Sequence, residues 1–328
     1  MNAPREALLA PAPSAGVWQR LERTTDLDAH ARAQPGWDLR YEQLSAGHFA
    51  GLIHHLQLPG TRLVHEHCSV AVRQRGRFID GTYGFALAGQ PSAPAIFNGQ
   101  RVAHDAMMLG RAGELDLCTP SDYALIAVVV DGALLNPLWE QMYGKPPSAW
   151  MQSQLVVPTR SAAAAEALRG FHKRAMADAA ALLAGGDSFT ALQQLRDALL
   201  IEWFEALPAV VDASALPNAQ ARKRLVDRAC ELMLAHTDDP LSMLEVCRRV
   251  GASPRKLNYC FQEALGTTPV KYLRAVRLNG VRRELLAARG SVQDVAARWG
   301  FWHLSQFARD YKRQFGELPS RTLHPSTR

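Results

Sequence analysis

The chain has 328 residues, enough to bury two separate cores. Its 48% hydrophobic and 21% charged content is ordinary for a soluble globular protein, and no uninterrupted apolar run is long enough to span a bilayer, which excludes a helical membrane protein. The net charge of +6 is unevenly shared: residues 218–328 hold 20 Lys and Arg against 10 Asp and Glu, whereas residues 1–217 hold 17 against 21, so only the C-terminal part is built to meet a polyanion.

In chain order, residues 1–16 are rich in Ala and Pro and carry no signal-peptide pattern, so a loose tail and a cytoplasmic location are expected. Residues 17–35 show no decisive period. From Trp37 to about Val130 the pattern turns to short strands: alternation through Leu39, Tyr41, Phe49 and Ile53, then runs at Leu63–Val72 and Phe78–Leu87. Asn98-Gly99 is a hairpin signal, and Tyr123–Val130 suits a buried strand. Strands spaced this closely predict a small barrel or sandwich. Helices are expected from about 131 to 207. Leu134, Leu135, Leu138, Trp139 and Met142 share one face, Ala162–Leu183 is a strong helix former, and Gly185-Gly186-Asp187 breaks it. Phe189–Leu207 then presents Leu192, Leu195, Leu199, Leu200 and Trp203 as an amphipathic stripe. Residues 208–220, with a proline near each end, read as a linker to a C-terminal domain over 221–328. The five cysteines, Cys68, Cys118, Cys230, Cys247 and Cys260, form no CxxC pair, and buried reduced thiols are expected.

The C-terminal domain writes one pattern twice. Ser242, Glu245, Cys247 and Gly251 match Ser291, Asp294, Ala296 and Gly300 at an offset of 49; Leu257, Phe261, Gly266 and Pro269 match Phe307, Tyr311, Gly316 and Pro319 at an offset of 50. Each copy opens on a serine with an acid three residues on, runs through apolar residues at helical spacing, turns at a glycine and starts a second helix. That is a helix-turn-helix, expected at 242–264 and 291–315, with a helix over 270–288 between the copies. Gly280 inside that helix is read as a close-packing or bending position.

The segments GASPRKL, LGTTPVKYLRAVRL and GFWHLSQFARDYKRQFGELPSRTL make Ser242–Leu323 resemble the paired helix-turn-helix domain of AraC/XylS-type transcription regulators. The last segment also resembles the branch that contains ethanolamine-utilisation regulators. The resemblance implies an α+β multidomain chain. Residues 17–207 would form an effector-binding and dimerisation domain, a cupin-like β-barrel plus helices, followed by an all-α double helix-turn-helix. Its partners would be double-stranded DNA, a small-molecule effector, RNA polymerase and, through the 189–207 stripe, a second copy of the chain. No membrane partner is expected. With Leu257, Cys260 and Phe261 turned inward, the outward residues of the first recognition helix are Arg255, Lys256, Asn258 and Tyr259; those of the second are Trp302, His303, Ser305, Gln306 and Arg309. These are the expected base contacts, Trp302 and His303 being bulky for places where the family often has small polar residues. Lys271, Arg274, Lys312 and Arg313 are the expected phosphate contacts.

For the N-terminal domain, Trp37, His65, His67, Arg73, Arg75 and Tyr83 are candidate liners of an effector pocket, the arginines suiting an anionic or hydroxyl-bearing ligand. His65 and His67, two apart on a strand, share a face as metal ligands of cupin enzymes do, so a metal-dependent cupin enzyme fused to a DNA-binding domain is the competing class. Against it, residues 70–77 lack the acid such a site needs, and Glu66 points to the opposite face from the two histidines. Metal, cofactor and catalytic residues are therefore not expected. A regulator that needs no small effector is the other alternative.

Overall fold

The computed structural model describes residues 16–111, 113–143, 155–185, 189–208, 216–236, 241 and 243–324. The N-terminal half begins with β1 (Trp18–Thr24), α1 (Leu27–Arg32), β2 (Leu39–Gln43), β3 (Gly51–Leu58), β4 (Thr61–Cys68) and β5 (Val72–Arg77). It continues through β6 (Thr82–Ala88), β7 (Ala95–Phe97), β8 (Gln100–Val102), β9 (Ala106–Gly110), β10 (Glu114–Thr119) and β11 (Tyr123–Asp131). After α2 (Gly132–Tyr143) come β12 (Leu155–Pro158), α3 (Ala162–Gly185) and α4 (Phe189–Glu205). All the ladders are antiparallel.

The strands make two sheets, in the orders β1-β3-β4-β11-β6-β9-β12 and β2-β5-β10-β7-β8. No ladder among the described residues joins the edges of one to the other, so the expected barrel is corrected to two facing open sheets. Two further elements depart from expectation. The 17–35 stretch holds β1 and α1, the latter capped by the Asp26 carboxylate accepting from the Ala29 amide at 2.9 Å. The segment expected to be wholly helical holds β12, an edge strand on β9. The Asn98-Gly99 turn does join β7 to β8, with φ of 47° and 78° at its two central residues, the conformation a tight hairpin requires.

Alternation along the central strands of the large sheet divides their side chains between two buried faces. In the large sheet, Leu63, Phe85, Leu87, Met107, Leu109, Ile126, Val128 and Val130 face α2, α3 and α4. Leu192, Leu199, Leu200 and Trp203 of α4 complete that core, so the amphipathic stripe packs within its own domain. The opposite face, with Ala88, Ala106 and Met108, meets Phe97 and Leu117 of the small sheet.

The C-terminal domain is helical: α5 (Leu216–Ala235), α6 (Met243–Val250), α7 (Pro254–Leu265), α8 (Pro269–Leu286), α9 (Val292–Arg298), α10 (Leu304–Phe315) and α11 (Pro319–Leu323). The helix α5 starts inside the expected linker, whose residues 209–215 lie outside the described residues, as does the expected cap Ser242. Ser253 and Ser291 cap α7 and α9 by accepting from the amides of Lys256 and Asp294. The second helices of the two motifs, α7 and α10, are 12 residues each and end in left-handed Gly266 and Gly316. Each motif has its own core, Leu257–Phe261–Tyr272 for the first and Phe307–Tyr311–Phe315 for the second, with α8 contributing to both.

The outer face of the small sheet rests on this helical domain. Arg73, 1% exposed, holds Asp116 through two bonds of 2.6 and 2.8 Å and donates to the Tyr272 hydroxyl at 2.5 Å. Lys223 of α5 adds a contact of 3.0 Å to the same carboxylate. Burial alone would raise the Asp116 pKa, but Arg73 and Lys223 outweigh it and keep the group ionised. Along β2, the Asn279 side-chain amide pairs with Gln43 as a neighbouring strand would, accepting from its N–H at 3.1 Å and donating to its carbonyl at 3.0 Å. Arg283 donates to the Tyr41 carbonyl at 2.6 Å, and Gln43 and Gln314 exchange side-chain to backbone bonds.

Candidate functional site

In α7, Leu257, Cys260 and Phe261 are buried, which turns Arg255, Lys256, Asn258 and Tyr259 into solvent. In α10, Phe307, Tyr311 and Phe315 do the same for Ser305, Gln306 and Arg309, with Trp302 and His303 exposed just before the helix. The contact of the small sheet therefore leaves every candidate base reader free. Tyr259 is 56% and Trp302 66% exposed, large apolar surfaces open to solvent.

The expected phosphate residues Lys271, Arg274, Lys312 and Arg313 are exposed as well. Two of them share an anchor that the sequence did not suggest. Asp310, 2% exposed, pairs with Arg274 of α8 and with Arg313 at 2.8 Å, and accepts from Gln306 at 3.0 Å. Gln306 in turn accepts from Arg309 at 2.8 Å. A buried carboxylate thus orients a row of cations and donors across α8 and α10, an arrangement suited to phosphate oxygens and base edges. The signal that could have revealed it is the offset of 50, which aligns Asp310 with the buried Cys260.

The N-terminal domain contains a cavity of about 80 Å³ between its two sheets, several times the room one water needs. Its walls are almost wholly apolar. Leu125, Ala127 and Val129 of β11 and Gly84 and Ala86 of β6 form one side, and Leu115, Leu117 and Phe97 the other. Trp37 and Phe78 stand edge to face with centroids 5.8 Å apart, and Phe78 and Phe97 continue the row at 6.4 Å. Three polar side chains reach it, Gln34, Gln74 and Glu66. Glu66 Oε1 accepts from the Tyr41 hydroxyl at 2.6 Å and from His30 Nε2 at 2.9 Å. Burial pushes this carboxyl toward protonation, but the His30 and Tyr41 bonds prevail and hold its pKa below the usual carboxylate range.

Of the six candidate pocket residues, only Trp37 lines this cavity. The register of β4 turns His65 and His67 away from it, with His67 Nε2 2.8 Å from Asp122. Arg73 and Arg75 lie on the outer face of β5, Arg73 buried against the helical domain and Arg75 opening onto an interdomain cleft of about 480 Å³. Tyr83 packs among the residues beneath the helices. His30 Nε2, a Glu66 oxygen and Cys68 Sγ lie within 4.8 Å of one another, the spacing a cation needs. In that cluster both imidazole nitrogens already have partners, Nδ1 bonding Thr24 Oγ1 at 2.7 Å, and burial pushes the Cys68 thiol well above its ordinary pKa. The five cysteines are free and buried. No helix among the described residues is long and apolar enough to cross a membrane.

Comparison with known proteins gives a consistent set of matches. Residues 246–324 match a helix-turn-helix domain family. A Rhodococcus erythropolis protein named as a probable thc operon regulatory protein is 41% identical over 102 residues, covering 30% of this chain and 31% of that one. The XylDLEGF operon transcriptional activator 2 of Pseudomonas putida is 31% identical over 134 residues, 38% of this chain and 85% of that protein. The chain spans about a third or less of the Rhodococcus protein and of the Ralstonia nicotianae regulatory protein HrpB, 31% and 18% respectively. Among solved structures, the AraC-like transcriptional activator CuxR superposes with a TM-score of 0.39 at 18% identity, covering 83% of this chain and 96% of that one. An AraC-type regulator from Chromobacterium violaceum gives 0.30 at 29% identity, over 32% of this chain and 98% of that one.

Proposed function

Because this chain belongs to the AraC/XylS-type transcription regulators and is not an enzyme, we propose that it is a sequence-specific activator controlled by a small effector bound in its N-terminal domain. The observation that carries the reading is the pair of equal helices α7 and α10, set 50 residues apart, whose outward positions are all exposed and rich in hydrogen-bonding side chains. Joined through one helix, α8, they suit two successive major grooves about 34 Å apart on one DNA face. Arg255 and Arg309 supply the fork that matches guanine, and Asn258 the amide that matches adenine. Lys271, Arg274, Lys312 and Arg313 set the register on the backbone. The cavity between the sheets supports the effector part of the reading, since a concave apolar site with a few polar groups is what small ligands occupy. RNA polymerase and a second copy of the chain complete the proposed partners.

The test is a binding selection from random duplexes by the full chain, followed by fluorescence anisotropy on the selected and scrambled sequences. A specific activator of this kind prefers its selected site by at least about 10³-fold at physiological salt. Equal affinity for both duplexes would reject the reading.

A further inference from the structure

The geometry points to a small, one-ring amine as the occupant of the inter-sheet cavity, its ammonium group on Glu66 and its ring among Trp37, Phe78 and Phe97. This rests on the reading of the N-terminal domain as the effector-binding part and gives that effector a chemical class. Among the lining residues there is no lysine, arginine or histidine, so nothing on the wall offers a carboxylate or phosphate its counter-charge. The one ionisable lining group is Glu66, and both of its hydrogen bonds fall on Oε1. Oε2 is left as an acceptor in apolar surroundings, where a bare carboxylate oxygen is costly and a charge-assisted donor is worth most. Gln34 and Gln74, the other polar side chains on the wall, carry amide oxygens that can accept the remaining ammonium protons. The edge-to-face row of three aromatic rings suits a flat apolar body and adds attraction for a cation. The cavity, about 80 Å³, is smaller than the roughly 150 Å³ that holds a benzene ring, so one ring is the upper size and its entry has to part the walls.

The same carboxylate ties the site to the DNA-binding half. Tyr41 donates its hydroxyl to Glu66, while its backbone carbonyl accepts from Arg283 of α8, the helix that carries both reading motifs. Drawing Glu66 toward a bound ammonium therefore acts on β2, and through it on α8.

Isothermal titration and thermal melting of the full chain with benzylamine, benzyl alcohol and benzoate test the assignment. Benzylamine should bind one to one and raise the melting temperature, benzyl alcohol should bind about tenfold more weakly, and benzoate should leave the protein unchanged. Glu66→Gln should lose benzylamine by about tenfold or more while keeping most of its affinity for benzyl alcohol. Ala127→Leu, which fills the cavity without touching the Glu66 hydrogen bonds, should abolish binding of both and keep the unliganded melting transition. Benzylamine binding unchanged in either variant, tighter binding of benzoate, or binding of none of the three would overturn the inference. Benzoate that binds and alters DNA affinity would overturn the ligand class and leave the effector reading standing. Benzylamine that binds through Glu66 without altering DNA affinity would leave the class standing and remove the effector role.

Discussion

Asp310 sits in the second motif where Cys260 sits in the first, and the exchange of a buried thiol for a buried carboxylate changes what surrounds it. Arg274, Arg313 and Gln306 all converge on it. Replacing it with alanine leaves three donors without their shared acceptor; because Arg274 and Arg313 are themselves largely exposed, water recovers part of the loss and the cost should be about 1–3 kcal/mol in urea unfolding. A change below about 0.5 kcal/mol would mean the cluster is screened surface charge. For DNA, Arg255→Ala should cost about 1–3 kcal/mol of discrimination between selected and scrambled duplexes. Lys271→Ala should instead weaken both alike and lower the slope of affinity against salt by about one. At this same scale lie His172 and His55. Burial depresses them from 6.5 to about 3 and to about 4, and Arg62 adds to the effect at His55. The unfolded chain takes up these protons near pH 6.5 and the folded one does not, so stability is complete above pH 6.5 and is lost as pH falls from there toward 4. His172→Gln should flatten that decline in melting temperature; an unchanged slope would assign it to other groups.

Among the elements, α8 shows how a position of poor helix propensity becomes necessary. A Cβ on Gly280 would lie 2.3 Å from the Trp299 ring, which crosses the helix there and donates its indole N–H to Glu284 at 2.9 Å. Gly280→Ala therefore gains about 1 kcal/mol of propensity and loses more to the clash, so its melting temperature should fall rather than rise. The sequence already marked Gly280, the strands and both motifs, because a helix that buries one face and repeats its pattern advertises which side is out. The sheets were harder to read. Both faces of the large sheet are buried, one under α2, α3 and α4 and the other against the small sheet, so apolar residues occupy both parities. Alternation then says that Glu66 opposes His65 and His67 without saying which side holds the cavity. Arg73 misled for a related reason: a buried arginine on a strand reads as a pocket liner when the helical domain that covers it is more than 100 residues away in sequence. His30 lay in a stretch with no clear period, and the helix that carries it, capped by Asp26, was not read from the sequence.

Over the whole molecule, the two halves meet through an apolar patch, in which Ile96 and Cys118 of the small sheet join the core of the first motif, and through polar side chains. Arg73, Asp116, Lys223 and Tyr272 form a buried polar network at one end of the contact, and Asn279, Gln314 and Arg283 grip β2 at the other. Asn279→Ala removes the acceptor of the Gln43 amide, whose hydrogen exchange should accelerate by about tenfold, the equivalent of one lost hydrogen bond. Exchange at the unchanged rate would mean that another acceptor replaces it. The placement of Asn279 has a consequence beyond holding the halves together. A strand at a sheet margin, with N–H and C=O groups free, invites a strand from another molecule. Here β2 is such a margin, and the Asn279 amide occupies the groups of Gln43 as a stand-in for a further strand. Any ligand or variant that parts the halves also bares this edge, so the price of opening is a tendency to aggregate.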